Sequence, residues 1–251
     1  VERISVCAEK WRHTMRIALA AARFVNGDIV HNLAQIDRFA AQAREQGAAL
    51  VCFGEAFLQG FDCLGWTYAQ DRSMAVPTAG DAMAQVRRIS EKQGVDILLG
   101  FLERDGDSIY SSCALVQEGA LAQVYRRISR GWREVARTDD HYREGTEPKC
   151  FLYRGKRLAI ALCGDVWDMP ERFALGEDAL LWPVYVSYTP AQWQAEAQAE
   201  YAVQAAKCCP HTLFINSLCD GDAYGGAAVF RQGRIAETLP MGREGMLLTE
   251  L

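Results

Sequence analysis

The chain has 251 residues, of which 50% are hydrophobic and 24% are charged, and this is enough apolar material for one cooperative core. It carries 27 Lys and Arg against 32 Asp and Glu, a formal net charge of -5, which excludes a general attraction for nucleic acid or anionic lipid. No apolar stretch approaches the ~20 residues of a membrane span. We therefore expect a single domain with neither nucleic acid nor membrane as a partner.

In chain order, the patterns predict strands alternating with helices, followed by hairpins. The first half predicts a strand from Met15 to Phe24, a helix over Asp28–Arg44, a strand that ends at Phe53, an irregular segment from Gly60 to Ala79, a helix over Asp81–Gln93 with Asp81 as its N-cap, and a strand from Val95 to Leu102. The second half predicts a hairpin of Ser112–Gln117 and Leu121–Tyr125, a polar irregular segment from Ser129 to Pro148, a hairpin of Lys149–Tyr153 and Leu158–Leu162, a short apolar run at Ala179–Leu181, a helix over Pro190–Lys207, and the strands Thr212–Asn216, Ala227–Phe230, Arg234–Leu239 and Met246–Glu250. This order is typical of an α/β layered protein with a mixed sheet.

The nine cysteines are scattered, and several lie in apolar runs, unlike the framework of a small disulfide-stapled protein. Reduced thiols favour a cytoplasmic location, and the charged start, Val1 to Lys10, lacks the apolar core of a signal peptide. With no CxxC pair and only four His, we expect no zinc site.

Cys163 is the most informative residue of the chain. It follows an apolar run, 157–162, and precedes Gly164 and Asp165, a turn pattern. The thiol is therefore predicted at the tip of a buried strand, where ligands of α/β sheets bind. A cysteine in an apolar strand is more often an inert residue of the core. Whether Cys163 is functional therefore depends on which other reactive or charged residues the sequence places near it.

Two other segments place charged side chains at the ends of predicted strands. Glu55 follows Gly54 at the end of a predicted strand, and a partly buried carboxylate has a raised pKa that lets it take a thiol proton near neutral pH. Arg126 and Arg127 end a hairpin strand and offer positive charge to a developing oxyanion. Each has a simpler interpretation, because such a carboxylate can be solvated and adjacent arginines are usually surface charges.

Taken in order, these segments resemble the nitrilase superfamily of carbon–nitrogen hydrolases. The resembling segments are Gly54-Glu55-Ala56-Phe57-Leu58-Gln59-Gly60-Phe61 for the glutamate motif, Tyr125-Arg126-Arg127 for the Tyr-Arg-Lys motif, Leu162-Cys163-Gly164-Asp165 for the cysteine motif, and Gly225 to Phe230 with Gly233 for a late strand and turn. The cysteine motif is closest to that of glutaminase-type members. The resemblance covers nearly the whole chain and implies a four-layer αββα sandwich in one domain, 1–251, with residues 1–14 as an N-terminal extension.

The family's Glu-Lys-Cys triad carries over to Glu55 and Cys163 but not to the lysine, where this chain has Arg127. Arginine keeps the charge but is planar, bulkier and effectively never deprotonated. It can stabilise an oxyanion but cannot donate a proton. The family's second glutamate is best matched by Asp140, with Asp139 and Glu144 as alternatives. Gly164 stands where many members carry a larger residue, which could enlarge the pocket or shift its backbone.

The resemblance implies a thiol-dependent hydrolase of a small non-peptide amide-type C–N bond, acting through a Cys163 thioester without a metal or organic cofactor. Glu55 would take the thiol proton, while Arg127 and the N–H after Cys163 would stabilise the oxyanion. The alternative is a catalytically impaired protein of the same fold that binds a ligand or partner, because the family lysine is replaced.

The substrate stays open beyond the amide class. The polar and aromatic residues expected near strand ends, as candidate pocket residues, are Gln59, Phe61, Trp66, Trp132, Trp167 and Tyr188. The Ala-rich helix over Pro190–Lys207 carries Trp193 and Tyr201, and family members commonly dimerise through this region. We therefore expect a homodimer.

Overall fold

Two mixed sheets of six strands each stand at the centre of the computed structural model, which describes residues 14–251. In spatial order, the first sheet contains β14 (Gly245–Glu250), β1 (Arg16–Ala21), β2 (Leu50–Cys52), β3 (Asp96–Asp105), β4 (Ser108–Gln117) and β5 (Ala120–Arg126). The second contains β13 (Arg234–Leu239), β12 (Ala227–Arg231), β9 (His211–Asn216), β8 (Ala179–Val184), β7 (Lys156–Ile160) and β6 (Phe151–Tyr153). A separate pair joins β10 (Leu218–Cys219) to β11 (Ala223–Tyr224).

Within residues 14–251, the helices are α1 (Ile29–Glu45), α2 (Tyr68–Met74), α3 (Asp81–Gln93), α4 (Asp165–Asp168), α5 (Pro190–Gln192) and α6 (Gln198–Ala205), the last two joined by a π-helical turn, Trp193–Ala197. The helices α1 and α3 cover the outer face of the first sheet, and α6 covers that of the second. Short 3-10 turns lie at Phe61–Cys63, Arg130–Trp132 and Pro170–Phe173. Within residues 14–251, no helix combines the length and the apolar character that crossing a membrane requires.

The period of two along β1 explains the layering. Ile17 and Leu19 pack into the core between the sheets, whereas Ala18 and Ala20 pack into a second core under the helices α1 and α3. Because successive side chains of a strand point to opposite faces, a strand buried on both faces must be apolar throughout, as β1 is. The predicted four-layer αββα sandwich is confirmed.

The helical segment 190–205 covers the second sheet with its aromatic side chains. Trp193 stacks on Phe214 of β9 with ring centroids 4.9 Å apart, and Tyr201 stacks on Trp182 of β8 at 5.2 Å. These rings occupy the side of the helix that faces its own sheet. The homodimer expected through this helix stays a prediction, and the predicted N-terminal extension lies outside the described residues except for residue 14.

Three sequence predictions about elements were wrong in detail. The segment from Gly60 to Ala79 is not wholly irregular, because it contains α2, a helix too short and polar to show an apolar period. The N-cap of α3 is Gly80, and Asp81 belongs to the first helical turn. β4 begins at Ser108, four residues earlier than predicted, because residues 108–111 pair with the end of β3.

Candidate active site

The end of β8 holds the two predicted catalytic segments together. The backbone N–H of Cys163 donates to the carbonyl of Pro183 at 3.0 Å, and the N–H of Glu55 donates to the carbonyl of Val184 at 3.1 Å. β8 belongs to the second sheet, whereas Glu55 follows β2 of the first. The site therefore lies where the strand ends of the two sheets meet, as the sequence predicted for Cys163 and Glu55.

Two glycines permit this close approach. A Cβ on Gly100 of β3 would lie closer than 3.0 Å to the backbone of Gly54 and Glu55. A Cβ on Gly54 would likewise come closer than 3.0 Å to Ser217. Real Cβ atoms do not approach backbone atoms so closely, so any larger residue here would move the Glu55 segment. No pattern in the sequence marked Gly100.

Cys163 stands on a sharp turn after β7. Its φ is +40°, in the left-handed region that residues other than glycine seldom adopt. The Trp182 indole N–H donates to the Cys163 carbonyl at 3.0 Å, and the thiol lies 3.6 Å from the carbonyl oxygen of Tyr185. Strained backbone of this kind persists where the surroundings hold it, and it clusters at functional sites. The turn presents the thiol at the strand end.

Glu55 and Arg127 form a buried ion pair. Arg127 Nη1 donates to Glu55 Oε1 at 3.0 Å, and Ser111 Oγ donates to the same oxygen at 2.8 Å. The two charged residues are 1% and 4% exposed. The other carboxylate oxygen, Oε2, is buried without a hydrogen-bond partner among residues 14–251. That oxygen is free to accept a proton.

Arg127 is held in place by hydrogen bonds of its guanidinium and of its backbone. Nε donates to Ser129 Oγ at 2.7 Å, and the backbone N–H donates to the carbonyl of Ser111 at 2.9 Å. Its own carbonyl accepts from the N–H of Gly145 at 2.8 Å. Within residues 14–251, the side-chain hydrogen bonds of Arg127 use Nε and Nη1. Nη2 therefore has its donors free.

The neighbouring Arg126 faces the opposite side of the strand. Its guanidinium pairs bidentately with Glu103, at 2.8 and 2.7 Å, and also reaches Asp105 at 2.7 Å. It lines a surface groove of about 720 Å³ that does not include Cys163. The interpretation of adjacent arginines as surface charges thus holds for Arg126 and fails for Arg127.

Burial and charge together set the ionisation of the site. Burial raises the pKa of Glu55, and the Arg127 charge acts in the opposite direction. Burial also raises the pKa of Cys163 to about 12; the Glu55 charge adds to this shift and Arg127 opposes it. For Arg127, burial works against the charge, but Glu55 and Cys163 outweigh it and raise its pKa. The site thus combines a neutral thiol, a basic carboxylate and a permanent cation.

Asp165 ties the cysteine turn to the arginine segment. One of its oxygens accepts from the N–H groups of Ile128 and Ser129, at 3.1 and 2.8 Å, and the other from the N–H of Leu162 at 2.9 Å and the hydroxyl of Tyr125 at 2.6 Å. The carboxylate is fully buried. The sequence placed Asp165 and Tyr125 within motifs but assigned neither this structural role.

Asp140 does not join this cluster. It is exposed, and in the described part of the chain only its backbone carbonyl forms a hydrogen bond. Asp139 is exposed as well, whereas Glu144 is partly buried and precedes Gly145, whose N–H holds the carbonyl of Arg127. The expected auxiliary role of Asp140 therefore lacks a contact, because the turn directs this residue to the surface.

Gly164 and Trp167 flank the thiol along the chain. Gly164 precedes α4 and lies against the Arg127 guanidinium. Trp167 is 38% exposed and packs edge-on against Tyr201, with ring centroids 5.0 Å apart. Tyr201 also stacks on Trp182, whose indole N–H donates to the carbonyl of Cys163. From the sequence, Tyr201 had only a packing role.

The other candidate pocket residues divide into two groups. Phe61 and Tyr188 pack on aromatic rings: Phe61 lies against Tyr185 with centroids 5.5 Å apart, and Tyr188 against Tyr201 with centroids 5.9 Å apart. The remaining three have structural partners: Gln59 bonds both backbone groups of Leu102, and Trp66 and Trp132 pack around Tyr142. Within residues 14–251, no three His, Cys, Asp or Glu side chains gather as a metal site would.

The model of the carbon–nitrogen hydrolase family matches residues 16–251, so the chain belongs to this family, as predicted. It is 25% identical over 169 residues, 65% of its length, to a glutamine-dependent NAD(+) synthetase of Thermotoga maritima. It is 26% identical over 125 residues, 46% of its length, to a cyanide hydratase of Armillaria gallica. The chain spans 28% and 35% of the lengths of these two relatives.

The fold has close counterparts among solved structures. An amidase from Nesterenkonia sp. superposes with a TM-score of 0.75 at 23% identity, covering 94% of this chain and 90% of the amidase. Another structure of that amidase, a mutant, shows the product of Michael addition of acrylamide at its active site cysteine, with a TM-score of 0.74, 22% identity and coverage of 94% and 93%. At these identities the likeness establishes the fold.

If Asp165 holds the two segments together, Asp165→Asn will lower the free energy of unfolding by about 3 kcal/mol, because the amide nitrogen would face at least one backbone N–H, which can only donate, in either orientation of the amide. Urea unfolding followed by fluorescence measures the change. Asp178→Asn is the matched control, since Asp178 is exposed and accepts from one backbone N–H, that of Arg157. Equal losses in the two variants would contradict the role assigned to Asp165.

Proposed function

We propose that this protein is a thiol-dependent hydrolase of a small non-peptide amide-type C–N bond. The observation that carries the proposal is the buried Glu55–Arg127 pair beside Cys163, with consecutive carbonyls of β8 holding the nucleophile and the base. A neutral thiol needs a base to become a nucleophile. Burial raises the pKa of Glu55, which makes this carboxylate a stronger base toward the thiol.

In the first half of the reaction, Glu55 Oε2 takes the thiol proton and the sulfur of Cys163 attacks the carbonyl carbon of the amide. The electron pair of the carbonyl moves onto its oxygen. Arg127 Nη2 and the backbone N–H that follows Cys163 are the donors that stabilise this oxyanion. Arg127 remains charged throughout, so its contribution is electrostatic.

In the second half, the C–N bond breaks and the leaving nitrogen takes the proton that Glu55 holds. This step forms a thioester on Cys163 and returns Glu55 to its carboxylate form. Glu55 then accepts a proton from water, whose oxygen attacks the thioester, and the sulfur leaves and regains the proton from Glu55. Every proton passes through one carboxylate, because an arginine cannot take part in the transfer.

The relatives support an acyl-transfer reaction of this type. The family match, the amidase whose cysteine carries an acrylamide adduct, and the relation to an NAD(+) synthetase that depends on glutamine all involve carbon–nitrogen chemistry in those proteins. A panel of ω-amides, N-carbamoyl compounds and nitriles contains the substrates to compare first. The aromatic cluster of Trp167, Tyr188 and Tyr201 adjoins the cysteine turn through Trp182 and favours a planar or apolar acyl group.

Replacing the nucleophile tests the proposal most simply. Cys163→Ala is expected to abolish the release of ammonia or amine from every amide of such a panel that the native protein hydrolyses, because no thioester can form. Cys150→Ala is the control, since Cys150 is a partly buried thiol with no contact to the Glu55–Arg127 pair. Turnover retained in Cys163→Ala would contradict the proposal, and no turnover in the native protein would favour a binding protein of the same fold.

The pH dependence of thiol alkylation tests the role of Glu55. With a pKa raised to about 12, Cys163 acting alone would react with iodoacetamide at a rate that climbs about tenfold per pH unit, since only the thiolate reacts. If Glu55 takes the thiol proton, the alkylation rate will stop rising with pH once the carboxylate is ionised. We call this a level profile, in contrast to the climbing profile of a thiol acting alone. We expect the level profile in the native protein and the climbing profile in Glu55→Gln, with alkylation near neutral pH slowed about a hundredfold.

Glu144→Gln is the control for this experiment, because Glu144 pairs with Arg133 and not with Arg127. It should keep the level profile. A climbing profile in the native protein, or a level one in Glu55→Gln, would show that Glu55 is not the base.

A further inference from the structure

Gly164 is not required by its own backbone. Its φ of -63° and ψ of -14° are ordinary right-handed helical values that any residue adopts. The residue type at this position is restricted by the room available for a side chain. A Cβ on Gly164 would lie closer than 3.0 Å to Arg127 Nη2 and 3.3 Å from Ser129 Oγ. The position is therefore kept free of a side chain by the guanidinium of Arg127.

The end of a flexible side chain normally moves aside at small cost, but Arg127 cannot do so. Nη1 is held by Glu55 at 3.0 Å and Nε by Ser129 at 2.7 Å. Because the guanidinium is planar, Nη2 cannot turn away from Gly164 without carrying Nη1 and Nε away from these partners. The surroundings are buried, so no solvent would replace the lost hydrogen bonds.

We infer that Gly164 is a positioning residue for Arg127, and that arginine and glycine at these two positions form a matched pair. The missing side chain leaves the space through which Nη2 reaches the turn that carries Cys163. Positions 127 and 164 are then coupled through the space between them. The inference rests on the proposed function only where it makes Nη2 the donor to the oxyanion.

A double-mutant cycle tests the pairing. Gly164→Ala should displace the guanidinium, weaken its effect on Cys163 and slow the alkylation of Cys163 by iodoacetamide at least about tenfold, the effect of one pKa unit. Arg127→Lys should also slow it, because lysine lacks the fork that binds Glu55 and Ser129 together. The combined variant should react faster than the product of the two single effects predicts, because the lysine has no second branch to meet the new methyl group.

The pH dependence of the alkylation rate is recorded for every variant. A purely structural defect would lower the fraction of protein that reacts and leave the pH dependence of the rate unchanged. Gly131→Ala is the matched control, because a Cβ there would lie 3.4 Å from the same Nη2, at ordinary contact distance. Independent effects of the two substitutions, or a Gly164→Ala variant with the native profile, would overturn the pairing. If Gly164→Ala does not fold, rescue of folding by Arg127→Lys supports the pairing and lack of rescue overturns it.

Amide hydrolysis measured on the same variants separates this inference from the proposed function. Coupled alkylation rates in a protein that hydrolyses no amide would leave the pairing intact and refute the proposed function. Hydrolysis that requires Cys163, together with independent effects of the substitutions at 127 and 164, would support the proposed function and overturn the pairing.

Discussion

The structure of the site depends on one constraint, the burial of opposite charges on Arg127 and Glu55. Removing two charges from water costs several kcal/mol each, and their attraction offsets this cost only when the geometry is good and the remaining polar atoms are bonded. The chain meets this condition with Ser111 on the carboxylate and Ser129 on the guanidinium. Within residues 14–251, Oε2 of Glu55 and Nη2 of Arg127 are the exceptions among the atoms of this pair, and they are the atoms that the proposed chemistry uses.

A buried ion pair is weak evidence for stability, because an apolar pair of similar volume often serves a fold equally well. Its presence here has a better explanation in the neighbouring thiol. Glu55 raises the pKa of Cys163 and Arg127 lowers it, so the two charges act on the same sulfur in opposite senses. Burial keeps the thiol protonated at rest, and in the proposed reaction the pair provides a base for its proton and a cation for the charge that develops later.

The sequence predicted the parts of this site that strand ends define. Cys163 and Glu55 could be identified because an apolar run followed by a turn locates the edge of a sheet. Ser111 and Gly100 could not, because their roles arise from contacts between elements distant in sequence. Asp140 was matched by motif alone, and the turn that contains it places the side chain at the surface.

The central claim is that a cysteine site built around an arginine still turns over through a thioester, and trapping the acyl group tests it most directly. Amide hydrolysis by the native protein is run with hydroxylamine present, and the acyl hydroxamate is quantified beside the released ammonia. The thioester account predicts that hydroxamate forms and replaces part of the carboxylic acid while ammonia release continues. Ammonia released with the acid as the sole acyl product, at hydroxylamine concentrations that cleave a model thioester rapidly, would contradict it.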